Sequence, residues 1–121
     1  MLDHVSFEVA DLARSAAFYD ALFARIGVRR LHETDAAIAY GRADVRFWIV
    51  ARGRADGSSF GHVAFEAAGR AAVDAAHASG LVAGGTDAGD PGPRPQYGRS
   101  YYAGYLLDPD GYRVELVSGG H

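Results

Sequence analysis

Two histidines and one glutamate have the residue types and sequence positions that suit a bound metal ion. His4 and His62 open two copies of the same six-residue pattern, at positions 4–9 and 62–67. Imidazole and carboxylate groups are ligands for first-row divalent ions, and two histidines with one carboxylate leave coordination positions open. The carboxylate is provided by Glu115, in the last segment with strand character. The candidate metal ligands are therefore His4, His62 and Glu115.

The repeated pattern alternates with a period of two, which predicts a strand with one apolar face on a core. His, a small residue and Glu lie on one face, whereas Val and Phe lie on the other. A helical pattern follows each strand. The first begins at the N-cap residue Asp11, has apolar residues every four positions over Phe18–Ile26, and stops at Gly27. The second is rich in Ala and stops at Gly80.

Three further strands are predicted in each half, which makes each half a βαβββ module. The strands are placed near Arg29–Glu33, Ala36–Tyr40, Asp44–Ala51, Leu81–Gly84, Ser100–Leu107 and Tyr112–Ser118. The chain is predicted to be one α+β domain over 1–121, with modules at about 1–52 and 60–118. The two modules are expected to form a curved mixed sheet around a cleft, with the helices on its outer face.

Two segments rich in Gly and polar residues interrupt this pattern. Arg52–Ser59 is predicted to be the linker between the modules, and Gly84–Arg99 a lid or binding loop. The remaining histidines match no pattern and are expected at the surface. They are His32, His77 and His121.

The last strands of the two halves align with each other and place Glu115 at the position equivalent to Trp48. His4, Trp48, His62 and Glu115 are therefore expected to converge, with Trp48 lining the pocket because it cannot bind a metal. A tight turn over Asp108–Gly111 would pair Gly104 with Glu115. That register would put Tyr102 on the face of Glu115 and Tyr105 behind it, unless a bulge intervenes.

Composition excludes several classes of function. The chain has 121 residues, 49% hydrophobic, with 15 acidic and 12 basic residues and a formal charge of -3. No basic surplus is present, so nucleic acid is not an expected partner. Apolar stretches are too short for a membrane span and no secretion signal is visible, so a cytoplasmic location is expected. The absence of Cys excludes disulfides and thiol nucleophiles.

Several short motifs, taken in order, are similar to the vicinal-oxygen-chelate superfamily, which includes glyoxalases, bleomycin-resistance proteins and extradiol dioxygenases. The motifs are His4 in the first strand, Asp11-Leu12, Arg14-Ser15, Phe18-Tyr19, Gly61-His62-Val63-Ala64-Phe65, Asp108-Pro109-Asp110-Gly111 and Glu115-Leu116. The resemblance implies a divalent ion (Fe, Mn, Ni or Zn) bound by His4, His62 and Glu115. It also implies an enzyme whose small-molecule substrate chelates the ion through adjacent oxygens. A homodimer is implied as well, in which His4 can serve a site shared between chains.

Departures from the family pattern distinguish among its members. Trp48 stands where glyoxalase I has a fourth ligand and base, so glyoxalase I activity is disfavoured. Tyr105 and the residues up to Glu115 resemble the extradiol dioxygenase signature, but the histidine expected before that tyrosine is missing. The thiol-transferase interpretation requires residues that hold an anionic group, for which Arg94, Arg99 and Tyr101 are candidates.

A lyase-like or dioxygenase-like reaction therefore stays open beside a binding function without metal. In the enzyme, Tyr102 and Tyr105 are the candidate catalytic donors, and Trp48, Tyr97 and Arg99 are the candidate substrate-binding residues. The alternative is a metal-free binding protein of the bleomycin-resistance type, in which aromatic residues line the ligand site. Those residues are Tyr40, Trp48, Tyr97 and Tyr102.

Overall fold

The computed structural model describes residues 1–53 and 61–120. The elements in chain order are β1 (Val5–Glu8), α1 (Leu12–Phe23), a short 3-10 helix (Ala24–Ile26), β2 (Arg29–Glu33), β3 (Ala37–Gly41), β4 (Phe47–Val50), β5 (His62–Glu66), α2 (Arg70–Val82), β6 (Thr86–Pro93), β7 (Tyr102–Leu107) and β8 (Arg113–Ser118). Within the described ranges, no helix is long and apolar enough to cross a membrane. Most of the predicted linker, and His121, lie outside the described residues.

The two halves of the chain have the same topology. One four-stranded sheet has the order β1-β4-β3-β2 and the other the order β5-β8-β7-β6. The pairs β1–β4 and β5–β8 are parallel, and the other pairs are antiparallel. Each half is therefore a βαβββ module with a mixed sheet, and the predicted α+β class is confirmed. The hydrogen-bonded strands form two four-stranded sheets rather than one continuous sheet.

Helix α1 begins and ends as its sequence predicts. The Asp11 side chain accepts a hydrogen bond from the Arg14 backbone N–H at 3.0 Å, which satisfies one of the free donors of the first turn. The short 3-10 helix that extends α1 ends at Gly27, whose φ of +74° lies in the left-handed region that glycine adopts without strain. These two residues fix where the chain turns from β1 and into β2.

Helix α2 runs through Gly80, so the predicted stop at this glycine and the predicted strand at Leu81–Gly84 are both wrong. A Cβ atom at Gly80 would lie 2.6 Å from Leu106 Cδ1 and 3.3 Å from Phe18 Cε1. The glycine is therefore a position of close packing inside the helix. Its role is to let α1 and β7 approach α2.

The strand missing from the prediction is β6, which occupies much of the segment predicted to be a lid. It carries no apolar alternation because it is an edge strand, paired only with β7. Its pairing slips twice, between Asp87 and Gly89 and between Gly89 and Gly92. Such bulges release backbone groups from the ladder and re-aim side chains. The lid prediction for Gly84–Arg99 is therefore corrected to a bulged edge strand followed by a turn.

Both modules contribute to one hydrophobic core. Helices α1 and α2 pack against each other, and the Phe65 ring of the second module lies 4.9 Å from that of Phe23 and 5.2 Å from that of Phe47. The buried hydrophobic residues are Val9, Ala16, Phe18, Tyr19, Leu22, Phe23, Ile26, Ile38, Ala39, Tyr40, Phe47, Ile49, Ala67, Val73, Ala76, Ala103, Leu106, Val114 and Leu116. Phe7 of β1 and Phe65 of β5 pack against this core, whereas Ser6, His62 and Ala64 on the opposite strand faces are exposed.

A buried hydrogen bond ties the last turn of the second module to helix α1 of the first. The Tyr19 hydroxyl donates to Asp108 Oδ2 at 2.6 Å, and both residues are buried. The other oxygen of this carboxylate accepts from the backbone N–H groups of Asp110 and Tyr112, each at 2.9 Å. Burial raises the pKa of Asp108. The contact therefore helps to hold the turn that precedes β8.

We expect Tyr19→Phe to reduce the free energy of unfolding by about 2 kcal/mol, because it leaves a buried carboxylate without one of its donors. The matched control is Tyr102→Phe, since the Tyr102 hydroxyl also donates to an aspartate (Asp74) at 2.6 Å but at an exposed position. That change is expected to cost less than about 1 kcal/mol. Urea unfolding of both variants measures the difference, and equal losses would contradict a special role for the buried bond.

Candidate functional site

The clearest site in the chain is formed by the first and last strands of the second module. Parallel pairing of β5 with β8 places Ala64 beside Glu115 and His62 one step along the same face. His62 Nε2 lies 2.9 Å from Glu115 Oε1. The Glu115 side chain is 1% exposed, whereas that of His62 is 47% exposed. A buried carboxylate and an accessible imidazole therefore meet, as two of the three predicted ligands should.

The second oxygen of this carboxylate is held by a tyrosine just before β7. The Tyr101 hydroxyl donates a short hydrogen bond to Glu115 Oε2. This bond, together with burial and the negative charge of Glu115, raises the pKa of Tyr101. The hydroxyl therefore stays protonated at neutral pH and remains a donor to Glu115. Sequence reasoning named Tyr101 only as a candidate anion holder. Its contact with Glu115 follows from period-two alternation, because Tyr101 and Tyr105 share one face.

The register of β7 and β8 differs from the expected one. The connection is one residue longer than the expected tight turn, with Asp108 N–H donating to the Tyr112 carbonyl at 2.8 Å and Gly111 at φ +92°. This is the geometry of a three-residue hairpin that closes with a bulge. It pairs Tyr105, and not Gly104, with Glu115. The bulge that is needed to place Tyr105 on the same face as Glu115 is therefore present.

The two tyrosines predicted as catalytic donors consequently lie on opposite faces of β7. Tyr105 shares the face of Glu115, and its ring centroid lies 5.9 Å from that of His62 in an edge-on arrangement. Burial and the charge of Glu115 raise the pKa of Tyr105. Tyr102 lies on the helix side, where its hydroxyl donates to Asp74. Of the two, Tyr105 alone faces the His62–Glu115 pair, and the expectation that Tyr102 would face it is corrected.

The first module has an equivalent face without an equivalent carboxylate. Trp48 pairs with Ser6 of β1 and Ala39 of β3, as Glu115 pairs with Ala64 and Tyr105. The alignment of Trp48 with Glu115 is therefore repeated in the strand register. The Trp48 ring contacts that of His32, at a centroid distance of 5.9 Å.

His4 lies apart from the other two predicted ligands in the same chain. It precedes β1, its Nδ1 atom lies 2.8 Å from Asp3 Oδ1, and it borders a cavity beside Phe65 and Glu66. In residues 1–53 and 61–120, just one group of three His, Asp or Glu side chains has its ligand atoms within 4.8 Å of one another, and it does not contain His4. The chain therefore brings together His62 and Glu115 but not all three.

That group of three is His77, Asp87 and Asp90, on the helix side of β6 and β7. His77 is 3% exposed, so its expected place at the surface is wrong. Its Nε2 atom lies 3.1 Å from Asp87 Oδ1 and 3.1 Å from the Tyr105 carbonyl oxygen. A carbonyl only accepts hydrogen bonds, so Nε2 donates to Tyr105 in the tautomer that carries a proton on this nitrogen. The group therefore lies against the backbone of the strand that carries Tyr105.

The two remaining predicted substrate residues lie in the turn between β6 and β7. The Tyr97 ring is 63% exposed, with its centroid 5.3 Å from that of Tyr101, so it borders the site. Arg99 is exposed, and within the described part of the chain it has no ion pair. The structure thus places Tyr97 near the site and gives Arg99 no defined contact there.

The chemistry of the donor set fits a first-row divalent ion in part. One imidazole nitrogen and one carboxylate oxygen already meet, and the carboxylate is oriented by a further hydrogen bond, as metal-binding carboxylates usually are. A protein site for such an ion usually supplies at least three ligands. One chain therefore supplies two of the three.

Comparison with known proteins gives a consistent result over the whole chain. A family model described as the Glyoxalase/Bleomycin resistance protein/Dioxygenase superfamily matches residues 1–116. A glyoxalase/bleomycin resistance protein from Albidiferax ferrireducens is 31% identical, with 97% of each chain covered and a TM-score of 0.82. A search of curated proteins found no match.

Two further structures show how widely this architecture is shared. The fosfomycin resistance protein FosX from Mesorhizobium loti is 23% identical, with 98% of this chain and 92% of the other covered and a TM-score of 0.73. A variant of glyoxalase I from Zea mays is 26% identical with a TM-score of 0.71. The match covers 94% of this chain and 45% of the glyoxalase I chain. At 23% identity, the likeness to FosX concerns the fold alone.

Proposed function

Because the chain belongs to the glyoxalase/bleomycin resistance protein/dioxygenase superfamily, we propose that it is a divalent-metal-dependent enzyme. Its substrate is a small molecule that chelates the ion through adjacent oxygens. The observation that carries this proposal is the buried Glu115 carboxylate, 2.9 Å from the accessible His62 Nε2 and oriented by the Tyr101 hydroxyl. Burial of a carboxylate is costly, and here the contacts with His62 and Tyr101 offset that cost while leaving His62 accessible.

The third ligand is His4 of a second copy, so the working unit is a homodimer with two equivalent sites. Three features support this step. His4 lies directly before β1 as His62 begins β5, its side chain is 51% exposed, and it does not reach Glu115 of its own chain. A twofold interface that joins the first module of one copy to the second module of the other would complete both sites at once.

In this proposal each residue of the site has a distinct task. A bound divalent ion (Fe, Mn, Ni or Zn) supplies Lewis acidity and a template for two substrate oxygens. Glu115 and His62 bind the ion, and Tyr101 keeps the carboxylate oriented by donating to its other oxygen. Tyr105, which stays protonated because its pKa is raised, can donate a hydrogen bond or a proton to a substrate oxygen. Trp48 lines the pocket in place of a fourth ligand.

The reaction is of the extradiol-dioxygenase or thiol-transferase type rather than that of glyoxalase I. Trp48 occupies the register position of Glu115 in the first module, so the base that hemithioacetal isomerisation needs is absent there. The position of Tyr105 on the face of Glu115 favours an extradiol-like arrangement, although Gln96 and Tyr97 stand where that family has a histidine. The arginines near Tyr105 favour a substrate with an anionic group.

A second candidate is a metal-free protein that binds an aromatic ligand. It is favoured by the group of tyrosines around the site, Tyr97, Tyr101 and Tyr105. It is also favoured because the described residues bring together just two of the three predicted ligands. Aromatic side chains provide large, rigid contact surfaces for flat ligands. In this case Glu115 and His62 would form an ion pair with a structural role.

Metal analysis of the purified protein separates the two candidates. We expect protein reconstituted anaerobically with Fe(II), Mn(II), Ni(II) or Zn(II) and then desalted to keep about one ion per chain, as a site with three protein ligands should. Chelator treatment is then expected to abolish turnover in a screen of catechols and of thiol transfer to an epoxide. A protein that retains no ion, and binds aromatic ligands equally well with or without chelator, would refute the enzyme and support the binding protein.

A further inference from the structure

Two arginines lie over one tyrosine ring beside the His62–Glu115 pair. The guanidinium carbon of Arg113 lies 5.1 Å, and that of Arg94 5.8 Å, from the centroid of the Tyr105 ring. Both distances fall within the range of cation–π attraction. Arg113 precedes Glu115 by two residues on the same strand and so shares its face. Both guanidinium groups therefore contact the ring that faces the His62–Glu115 pair.

The bulged strand β6 holds both guanidinium groups by its backbone. Arg94 Nη2 donates to the Asp90 carbonyl at 2.8 Å, and Arg113 Nη2 is directed at the Ala88 carbonyl at 3.4 Å. Both carbonyls belong to the stretch where pairing with β7 slips, which explains why they are available. The bulge that removes β6 from a regular ladder thus provides a backbone acceptor for each guanidinium group.

Gly89 makes this arrangement possible. A Cβ atom there would lie 3.2 Å from Tyr105 Cδ2 and 3.7 Å from Arg94 Nη2, and its φ of +156° disfavours any other residue. The glycine therefore allows the Tyr105 ring and the Arg94 side chain to pack against the backbone of β6.

Neither guanidinium has a carboxylate partner among the ion pairs of residues 1–53 and 61–120. Glu115, which shares the face of Arg113, is already engaged by His62 and Tyr101. Each guanidinium has five N–H donors, and the backbone contacts use only one or two of them. Two like charges on one tyrosine ring, each with free N–H donors, are an arrangement that a bound anion stabilises.

We propose that Arg94 and Arg113 form an anion subsite over Tyr105 and that the substrate carries a carboxylate, phosphonate or phosphate group there. The position of this group beside the chelating oxygens rests on the proposed function, whereas anion binding itself does not require the metal. The subsite differs from the sequence expectation in one respect: Arg113 takes the place of Arg99. The substrate class is thus a small anionic molecule with two adjacent oxygen donors.

The subsite can be tested on metal-free protein by NMR titration at constant ionic strength. The probes are inorganic phosphate, methylphosphonate and acetate, and the readout is the guanidinium Nε–Hε and backbone amide signals. We expect saturable shifts at Arg94, Arg113 and Tyr105, and binding weakened by about tenfold or more in Arg94→Gln and in Arg113→Gln, since each loses a charge-assisted hydrogen bond. The ranking of the three probes tells whether the site prefers phosphoryl or carboxylate groups.

A control and a parallel titration make the outcome decisive. Arg29→Gln, an exposed arginine at the start of β2, is expected to bind phosphate as the wild type does. An equal loss in this control would indicate diffuse surface attraction and overturn the subsite. Mn(II) titration of the same proteins keeps the two proposals apart. Mn(II) binding without phosphate binding would refute the subsite alone, and phosphate binding without Mn(II) binding would refute the metal site alone.

Discussion

Replacing Glu115 by glutamine is expected to weaken Mn(II) binding by more than about 100-fold, since changes to the hydrogen-bond partners of metal ligands alone cost about 10- to 100-fold. The substitution keeps the shape of the side chain and an oxygen that can accept from Tyr101. It removes the negative charge and leaves a poor ligand in its place. Competition with a fluorescent chelator measures the affinity, and near-UV circular dichroism checks that the core is unchanged.

The control for this result is Glu33→Gln, which removes a carboxylate from an exposed position at the end of β2. It is expected to bind Mn(II) as the wild type does. His62→Ala provides a second test, because its side chain is half exposed and its removal leaves no core cavity. Full Mn(II) affinity in both Glu115→Gln and His62→Ala would show that the ion, if it binds, binds elsewhere.

The architecture could be predicted from sequence because its signals are local. The repeated alternation at 4–9 and 62–67 gave both first strands, and Asp11 and Gly27 gave the limits of the first helical segment. Each of these signals acts through neighbouring backbone groups, so no knowledge of distant contacts is needed. The ligand types at the site follow from the same pattern, because alternation decides which side chains share a face.

The errors arose where distant contacts decide the local structure. Gly80 resembles a helix stop, but it is retained inside α2 because Leu106 and Phe18 approach too closely for any side chain. Strand β6 is an edge strand without apolar alternation. It is a strand because its backbone pairs with β7, and the sequence of β6 alone does not show this pairing. The register that turns Tyr105 toward Glu115 depends on a single bulged residue in the hairpin. None of these can be read from a window of the sequence.

The placement of His4 illustrates a different limit. Its residue type and its equivalence to His62 are visible in the sequence, but the copy of the protein that it serves is not. A strand pattern specifies which face a side chain occupies, and it says nothing about which chain covers that face. An experiment with mixed dimers can decide this, because it distinguishes a site within one chain from a site between two.

We expect His4→Ala and Glu115→Gln each to lose the metal site when pure, and to regain part of it when mixed. The two variants are unfolded together in urea at equal concentration, refolded, loaded with Mn(II) and desalted. Random pairing makes half of the dimers mixed, and each mixed dimer has one site with all three ligands intact and one with two defects. Metal content should therefore recover to about a quarter of the wild-type value, as symmetry of the dimer requires.

The matched control is a mixture of His62→Ala with Glu115→Gln, whose defects lie on the same module. In a shared site both halves of every mixed dimer then carry one defective ligand, so no recovery is expected. A site closed within one chain predicts no recovery in either mixture, because each chain keeps its own defect. Recovery in the first mixture and not in the second would therefore assign His4 to the partner, and would make the dimer a requirement of the chemistry rather than a property of packing. The absence of recovery in both, with mixed dimers verified by mass spectrometry, would require each chain to bring His4 to its own Glu115.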